Sequence, residues 1–207
     1  MSPEIKQIDP REHYTREVGP IEHDELEECQ TDMRNVGWTL GNACPYECPQ
    51  CYSLSARERG ANLTPQIIDR IIDQLSRVGV TTVNLGGNEP FFTNGLDRRN
   101  TLLPYIINGL VAHNILVGLT TSGISVVYLE EDYPQQFNLL NDIDVSLDSP
   151  SPEEHNRNRG AALYSQAIKA LSLAREHEID RTIVMCAMNW NFTPDRIKAL
   201  VDTARKF

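Results

Sequence analysis

Short apolar runs and amphipathic stretches alternate along the chain from residue 36 onward. The apolar runs are rich in Val, Ile and Leu and predict strands over residues 36–40, 81–85, 115–121, 142–148 and 182–187. Apolar residues spaced three or four apart predict helices after Thr64-Pro65, near 102–113, over 164–176 and after Thr193-Pro194. The sequence Ser151-Pro152-Glu153-Glu154 is a capping box that opens another helix, and the less regular stretch 126–140 is expected to hold a short one.

This repeated order of strand and helix predicts parallel strands joined by right-handed crossovers. The fold class is therefore α/β, as a curved sheet or partial (β/α) barrel with about five units. A doubly wound sheet is the alternative architecture. No G-x-G-x-x-G sequence opens a helix after the first strand, which argues against a dinucleotide-binding fold.

Residues 1–35 lack this periodicity and differ in charge from the rest of the chain. They hold ten Asp or Glu against four Lys or Arg, so they contribute −6 to the net charge of −10. We expect an acidic N-terminal extension over residues 1–35, either a solvated cap on the barrel or a docking arm, ahead of a core domain over residues 36–207. The acidic balance argues against a nucleic-acid partner. A polar N-terminus and the lack of any apolar run of about 18 residues predict a cytoplasmic protein with no membrane partner.

Three cysteines, Cys44, Cys48 and Cys51, follow the first predicted strand at C-x3-C-x2-C spacing. Thiolates are soft ligands that favour zinc or iron–sulfur clusters. A structural zinc site usually has four ligands in two C-x2-C pairs, and the odd count of five cysteines argues against a disulfide. Three ligands leave one position of a metal centre open, as in catalytic sites. The spacing therefore favours a three-cysteine cluster over zinc, while Cys29 is interpreted as a packed or free thiol and Cys186 as part of the core.

Glycine and polar residues follow each of the other predicted strands. They are Gly86-Gly87-Asn88-Glu89-Pro90 after the second strand, Ser122 after the third, Ser146 and Asp148 at the end of the fourth, and Asn189 after the fifth. Because the carboxyl ends of parallel strands meet at one edge of a sheet, these residues and the cysteines are expected to form one site. The glycines allow a ligand to approach the backbone, and the serine hydroxyls suit a ribose.

Together these motifs resemble those of the radical S-adenosylmethionine (radical SAM) superfamily. They are most similar to the motifs of its peptide- and protein-modifying (SPASM-type) members. The resemblance implies that Cys44, Cys48 and Cys51 hold a [4Fe–4S] cluster whose remaining iron binds the amino and carboxylate groups of S-adenosylmethionine. It also implies cofactor contacts for Tyr52, Gly86, Gly87, Asn88, Glu89, Ser122, Ser146, Asp148, Arg159 and Asn189. In the family, the glycine motif binds the methionine amino group, the fourth-strand serine contacts the ribose, and the arginine approaches the methionine carboxylate. This chain departs from the pattern at Gln50, where an aromatic residue is usual, and at Asn88, which is an extra residue before Glu89.

The resemblance implies an enzyme that cleaves S-adenosylmethionine reductively and uses a 5′-deoxyadenosyl radical to abstract hydrogen from a ribosomally made peptide. An external electron donor of the flavodoxin or ferredoxin type would reduce the cluster. A small-molecule substrate in cofactor biosynthesis, or protein activation, is the alternative within the family. An iron–sulfur electron-transfer module or a zinc-stabilised interaction domain is the alternative from another class. Because the family barrel usually has a sixth unit, we expect a segment of a longer enzyme, or an open edge that another chain covers.

Overall fold

The computed structural model describes residues 34–41, 43–53 and 63–207. These residues all fall in one compact unit. Cys29 and the predicted acidic extension lie outside the described residues, except for Arg34 and Asn35, and Asn35 already begins the first strand. The division of the chain at residue 35 therefore stays a prediction.

The described residues contain one sheet of five parallel strands, in the order β1-β2-β3-β4-β5. The strands are β1 (Asn35–Thr39), β2 (Thr82–Gly86), β3 (Leu116–Thr121), β4 (Asp142–Ser146) and β5 (Asp180–Val184). Because crossovers between neighbouring parallel strands are right-handed as a rule, we infer that the connecting helices lie on one face of the sheet. All five carboxyl ends lie at one edge, which confirms the predicted α/β fold.

The helices of the described residues are α1 (Pro65–Arg77), α2 (Leu103–Ala112), α3 (Ile124–Asp132), α4 (Pro134–Phe137), α5 (Pro152–Arg159), α6 (Tyr164–Glu176) and α7 (Pro194–Ala204). A short 3-10 helix, Arg98–Asn100, precedes α2. Helix α1 begins as predicted, because Thr64 Oγ1 accepts a hydrogen bond from the N–H of Ile67 at 3.3 Å. None of the helices in the described part of the chain has the length and apolar character that a membrane crossing requires.

The fifth strand begins two residues and ends three residues earlier than predicted, over Asp180–Val184 instead of 182–187. Its pairing with β4 sets this position, since Val184 is opposite Ser146, the last residue of β4. Beyond that point the N–H of Cys186 donates to the Asp148 carboxylate at 2.9 Å. β5 therefore ends where the Asp148 side chain replaces the backbone of β4 as its hydrogen-bond partner.

Two further predictions about the elements are wrong in detail. β4 ends at Ser146, two residues before the predicted end, because the N–H of Asp148 donates to the ring of His155 at 3.1 Å. The stretch 126–140 was expected to hold one short helix and instead contains parts of two, α3 and α4. The second begins at Pro134, since proline has no N–H with which to continue the first.

The capping box at Ser151 is only half formed. Ser151 Oγ accepts a hydrogen bond from the N–H of Glu154 at 3.3 Å, as predicted. The Glu154 carboxylate, however, accepts from Ser149 Oγ at 2.9 Å and from Arg196 Nη1 at 2.5 Å. Thr193 precedes α7 without a side-chain bond to the described residues of its first turn.

The two faces of the sheet differ in polarity. In β2, Val83 and Leu85 are fully buried, and they alternate with Asn84, which is half-buried. Asn84 Nδ2 donates to Asp144 Oδ2 at 3.2 Å, and Asn84 Oδ1 accepts from Thr120 Oγ1 at 2.8 Å. Because alternate residues of a strand point to opposite faces, the face away from the helices is polar.

Candidate active site at the carboxyl ends of the strands

The three cysteines of the C-x3-C-x2-C motif lie in a loop that follows β1. Cys44, Cys48 and Cys51 are half-buried, and the N–H of Cys51 donates to the carbonyl of Cys48 at 3.0 Å, which closes a turn. The Tyr46 hydroxyl donates to Gln166 Oε1 at 2.7 Å and so ties the loop to α6. Burial raises the pKa of Tyr46 to about 12, which keeps this hydroxyl neutral and able to donate.

A cavity of about 280 Å³ opens beside these cysteines. Its walls come from the carboxyl ends of all five strands and from the end of α5. The predicted site residues in these walls are Cys44, Cys48, Cys51, Tyr52, Gly87, Asn88, Glu89, Ser122, Ser146 and Arg159. The fold therefore gathers residues that are distant in sequence around one space.

Three other predicted cofactor contacts, Gly86, Asp148 and Asn189, are not among the residues that line this cavity. Gly86 packs on β3, where a Cβ on it would lie 3.3 Å from Thr120 Cβ. Asp148 is 2% exposed and binds Arg159 instead. Asn189 is exposed. Direct cofactor contacts from these three residues stay predictions.

Sequence reasoning missed one residue after β5, Asn191, and assigned another, Cys186, to the core. Asn191 is 1% exposed, and its Nδ2 donates to the carbonyls of Asp148 and Cys186 at 3.1 and 2.9 Å. Cys186 is exposed and lines the cavity, so its assignment to the core is wrong. No local pattern distinguishes Asn191 from Asn189, because the distant partner of Asn191 is Asp148, which follows β4.

Gly87 and Asn88 hold the end of β2 against the end of β1. Gly87 has a φ of +97°, and a Cβ on it would lie 2.2 Å from Thr39 Cγ2, so the position requires glycine. Asn88 Oδ1 accepts from Ser53 Oγ at 2.9 Å, and its Nδ2 donates to the carbonyl of Gly41. The extra residue Asn88 thus braces both ends of the cysteine loop.

Glu89 is 2% exposed and is surrounded by hydrogen-bond donors. Its Oε2 accepts from the N–H of Ser122 at 3.1 Å and from Ser122 Oγ at 2.6 Å. Its Oε1 accepts from the hydroxyl of Thr121 and from Ser125 Oγ, the latter at 2.7 Å. Glu89 therefore fixes the turn between β3 and α3, and Thr121 and Ser125 are partners that the sequence did not reveal.

Asp148 and Arg159 form an ion pair at the end of β4. Arg159 Nε and Nη2 donate to the two oxygens of Asp148 at 2.6 and 3.0 Å. The side chains are 1% exposed for Asp148 and 13% exposed for Arg159. Arg159 lines the cavity and Asp148 does not, so Asp148 holds the guanidinium from behind the cavity wall.

The donor set of the loop fits an iron–sulfur cluster. Three half-buried thiols line one cavity that offers room beside them. Among the described residues, no three His, Cys, Asp or Glu side chains are grouped closely enough to hold a single metal ion. A [4Fe–4S] cluster distributes three thiolates over three irons, so its cysteines do not have to meet at one ion.

Residues 38–204 match the sequence model of the Radical SAM superfamily, which is most of the chain. The chain belongs to the radical SAM superfamily. Members of this superfamily are enzymes that use a [4Fe–4S] cluster and S-adenosylmethionine, and these are the cofactors of the radical SAM enzyme described here.

Relatives of this radical SAM chain include a maturase and a cyclase. Mycofactocin maturase MftC of Mycolicibacterium smegmatis is 28% identical over 140 residues, which are 65% of this chain and 32% of the relative. The probable GTP 3′,8-cyclase of Pyrococcus horikoshii is 26% identical over 143 residues, which are 69% of this chain and 43% of the relative. The chain therefore spans less than half the length of either relative.

Solved structures of radical SAM proteins share the fold. SuiB of Streptococcus suis bound to S-adenosylmethionine superposes with a TM-score of 0.66 at 18% identity, over 86% of this chain and 40% of SuiB. The structure of anSMEcpe with bound S-adenosylmethionine gives a TM-score of 0.61 at 19% identity, over 84% of this chain and 50% of that protein. The five parallel strands thus correspond to the partial barrel of these proteins.

Proposed function

We propose that residues 36–207 form the catalytic core of a radical SAM enzyme that abstracts a hydrogen atom from a peptide. The observation that carries the proposal is a single cavity whose walls contain the three cysteines and residues from the ends of all five strands. When bound and reduced, the cluster supplies one electron, which splits S-adenosylmethionine into methionine and a 5′-deoxyadenosyl radical that takes the hydrogen atom.

Cys44, Cys48 and Cys51 would hold the cluster on the β1 side of the cavity. Arg159 brings a positive charge to the same wall, as the methionine carboxylate requires. Gly87, which has no room for a side chain beside Thr39, lines the cavity, and its backbone would bind the methionine amino group. These groups would orient the sulfonium toward the cluster.

Two serines and a tyrosine suit the nucleoside. Ser122 Oγ donates its proton to Glu89 and keeps its lone pairs for a ribose hydroxyl. Ser146 lies in the cavity wall at the neighbouring strand end. Tyr52 is 83% exposed at the cavity, where its ring would stack on the adenine.

A peptide substrate is supported by the relatives that are named maturases. A nucleotide or other small-molecule substrate is the second candidate, which the relatives named GTP 3′,8-cyclases support. In either case we propose that an external donor of the flavodoxin or ferredoxin type supplies the electron. Product analysis with candidate peptides and with GTP separates the two, since only the true substrate will raise 5′-deoxyadenosine formation above the uncoupled rate.

The first test is assembly of the cluster under anaerobic conditions. We expect Cys44→Ala, Cys48→Ala and Cys51→Ala each to lose the four-iron cluster, as measured by iron and sulfide content and by visible absorption. Cys186→Ala is the control and should keep it, because this thiol is outside the motif. A full cluster in all three motif variants would contradict the proposal.

The second test is the affinity for S-adenosylmethionine, measured by calorimetric titration of the reconstituted protein. Ser146→Ala should weaken binding by about 1 kcal/mol, since it removes one hydrogen bond, and should leave the cluster intact. The exposed helix residue Ser165 provides the control, Ser165→Ala, with unchanged affinity. Equal affinities for all three proteins would remove Ser146 from the binding site.

A further inference from the structure

The guanidinium of Arg159 is already held in place by the protein. Asp148 binds it in a bidentate pair, through Nε and Nη2 at 2.6 and 3.0 Å, and both side chains are largely buried. Two of the five N–H donors of the arginine are used in this way. The positive charge is therefore fixed at the cavity wall by residues of the chain itself.

This charge lies against the loop that carries Cys48. Gly160, the residue after Arg159, would place a Cβ 3.6 Å from Pro49 Cδ and 3.7 Å from the carbonyl oxygen of Glu47. Pro49 and Glu47 are the two neighbours of Cys48 in the chain. The end of α5 therefore lies close to the residues on both sides of the middle cysteine of the motif.

Gln50 joins the loop to the same ion pair from the other side. Its Nε2 donates to Asp148 Oδ2 at 3.3 Å. With the amide turned over, Gln50 would instead bond the carbonyl of Asn158 at 3.0 Å and Arg159 Nε at 3.2 Å. In either orientation Gln50, the residue before Cys51, forms a hydrogen bond with Asp148 or with residues of α5.

The ion pair presents its positive end to the cavity. Arg159 lines the cavity together with Cys48, whereas Asp148 does not line it and has a side chain that is 1% exposed. The guanidinium is therefore the charge of the pair that faces the thiols of the loop. A positive charge in this position stabilises negative charge on those thiols.

We propose, building on the function proposed above, that Asp148 and Gln50 hold Arg159 against Cys48 so that its charge raises the reduction potential of the cluster. Reduction adds one electron to the cluster and its thiolates, so a nearby positive charge stabilises the reduced form more than the oxidised form. Since Asp148 fixes the guanidinium before any ligand arrives, the effect is present without S-adenosylmethionine. This separates it from a role of Arg159 in binding the methionine carboxylate.

The test is a redox titration of the reconstituted full chain, with dithionite as reductant and without S-adenosylmethionine, followed by electron paramagnetic resonance. We expect Arg159→Gln to shift the midpoint potential to a more negative value. Arg159→Lys keeps the charge but loses the planar fork, and should shift it less. Arg157→Gln removes the same charge from an exposed position two residues earlier on α5 and should leave the potential unchanged.

An unchanged potential in Arg159→Gln, with a full cluster, would overturn this inference and leave the proposed function standing. An equal shift in Arg157→Gln would also overturn it, because the effect would then be one of net charge. If Arg159→Gln does not retain its cluster, Gln50→Leu is titrated in its place. We expect a more negative midpoint potential for Gln50→Leu. An unchanged potential would refute the inference that Gln50 holds Arg159 against Cys48. Failure of the unmodified chain to assemble a four-iron cluster would instead refute the proposed function.

Discussion

Glu89 and Asp148 are both 2% exposed, and hydrogen-bond donors surround each carboxylate. Glu89 accepts from Ser122 and Ser125, and Asp148 accepts from Arg159 and from the N–H of Cys186. A buried carboxylate whose oxygens are engaged in this way fixes the positions of its hydrogen-bond partners. Each therefore shapes the cavity by holding the residues that line it.

The Asp148 carboxylate should also be a large contributor to stability. Asp148→Asn would leave the largely buried guanidinium of Arg159 without its charged partner, and we expect the free energy of unfolding to fall by about 3 kcal/mol. Urea denaturation of the apo protein, followed by circular dichroism, measures this. Asp202→Asn is the control, because its ion pairs with Lys198 and Arg205 are exposed and contribute little. Equal loss in the two variants would contradict the prediction.

His155 should make stability depend on pH. Its ring is fully buried and accepts from the N–H of Asp148 at 3.1 Å, so the neutral ring carries its proton on Nε2. Burial, and next the charge of Arg159, lower the pKa of His155 to about 4, from an ordinary value of 6.5. The unfolded chain therefore binds a proton between these values that the folded chain does not. The stabilisation is fully present above pH 6.5 and is lost as the pH falls toward 4.

Urea denaturation between pH 7 and pH 4 tests this, with His155→Asn as the matched variant. The stability difference between the two proteins should shrink on acidification, by up to about 3 kcal/mol across the interval. Titrating carboxylates that the two proteins share cancel in this difference. A difference that does not change with pH would show that His155 titrates normally in the folded chain.

At the scale of the elements, bounds that depend on neighbouring residues were predicted correctly. Bounds that depend on contacts with distant residues were not. Helix α1 has its cap and its first-turn proline within two neighbouring residues, Thr64 and Pro65, and both behaved as expected. The ends of β4 and β5 depend instead on Asp148, which bonds His155 seven residues away and the N–H of Cys186 further along the chain. Such bounds cannot be deduced from hydropathy alone.

The residues of the site show the same difference between local and distant signals. The cysteine motif is local in sequence and was recognised from its spacing. Asn191 and Ser125 each bind a partner at another strand end, Asp148 for the first and Glu89 for the second. A buried Asn or Ser after a strand has no signature of its own, so these residues emerge only from the fold.

The contact between the ends of β1 and β2 can be tested with Gly87→Ala. The new Cβ would overlap Thr39, and the φ of +97° is itself unfavourable for alanine. Gly79→Ala is a matched control, because Gly79 has a φ of +80° and has no atom within 4 Å of the Cβ position in the described residues. We expect Gly87→Ala to lower the free energy of unfolding by about 1–3 kcal/mol more than Gly79→Ala. Equal losses in urea denaturation would mean that Thr39 moves aside without penalty.

At the scale of the whole molecule, charge is distributed unevenly. Residues 1–35 carry −6 of the net charge of −10, and they lie ahead of the residues that match the superfamily. Complementary charge mainly accelerates encounter and makes it sensitive to salt, and contributes less to affinity. We propose that this acidic extension attracts a basic segment of a peptide substrate.

The variant for this proposal replaces the acids of residues 20–30 by amides in the full chain, at Glu22, Asp24, Glu25, Glu27 and Glu28. We expect kcat/KM for a basic peptide to fall several-fold at low salt and to lose its salt dependence, because long-range attraction is removed. Uncoupled formation of 5′-deoxyadenosine should stay the same, since the cavity is unchanged. Both rates are measured by chromatography of the nucleoside and of the peptide product.

A control variant neutralises three exposed acids of the core at the amino end of β5, namely Glu176, Glu178 and Asp180, which lie away from the cavity. It should keep both rates and their salt dependence, because charge at the opposite edge of the sheet does not guide the peptide to the site. Deletion of residues 1–30 provides a second test of this proposal. If peptide turnover falls and uncoupled cleavage survives, the extension acts in docking; if both fall together, it supports the fold, and the docking proposal is wrong.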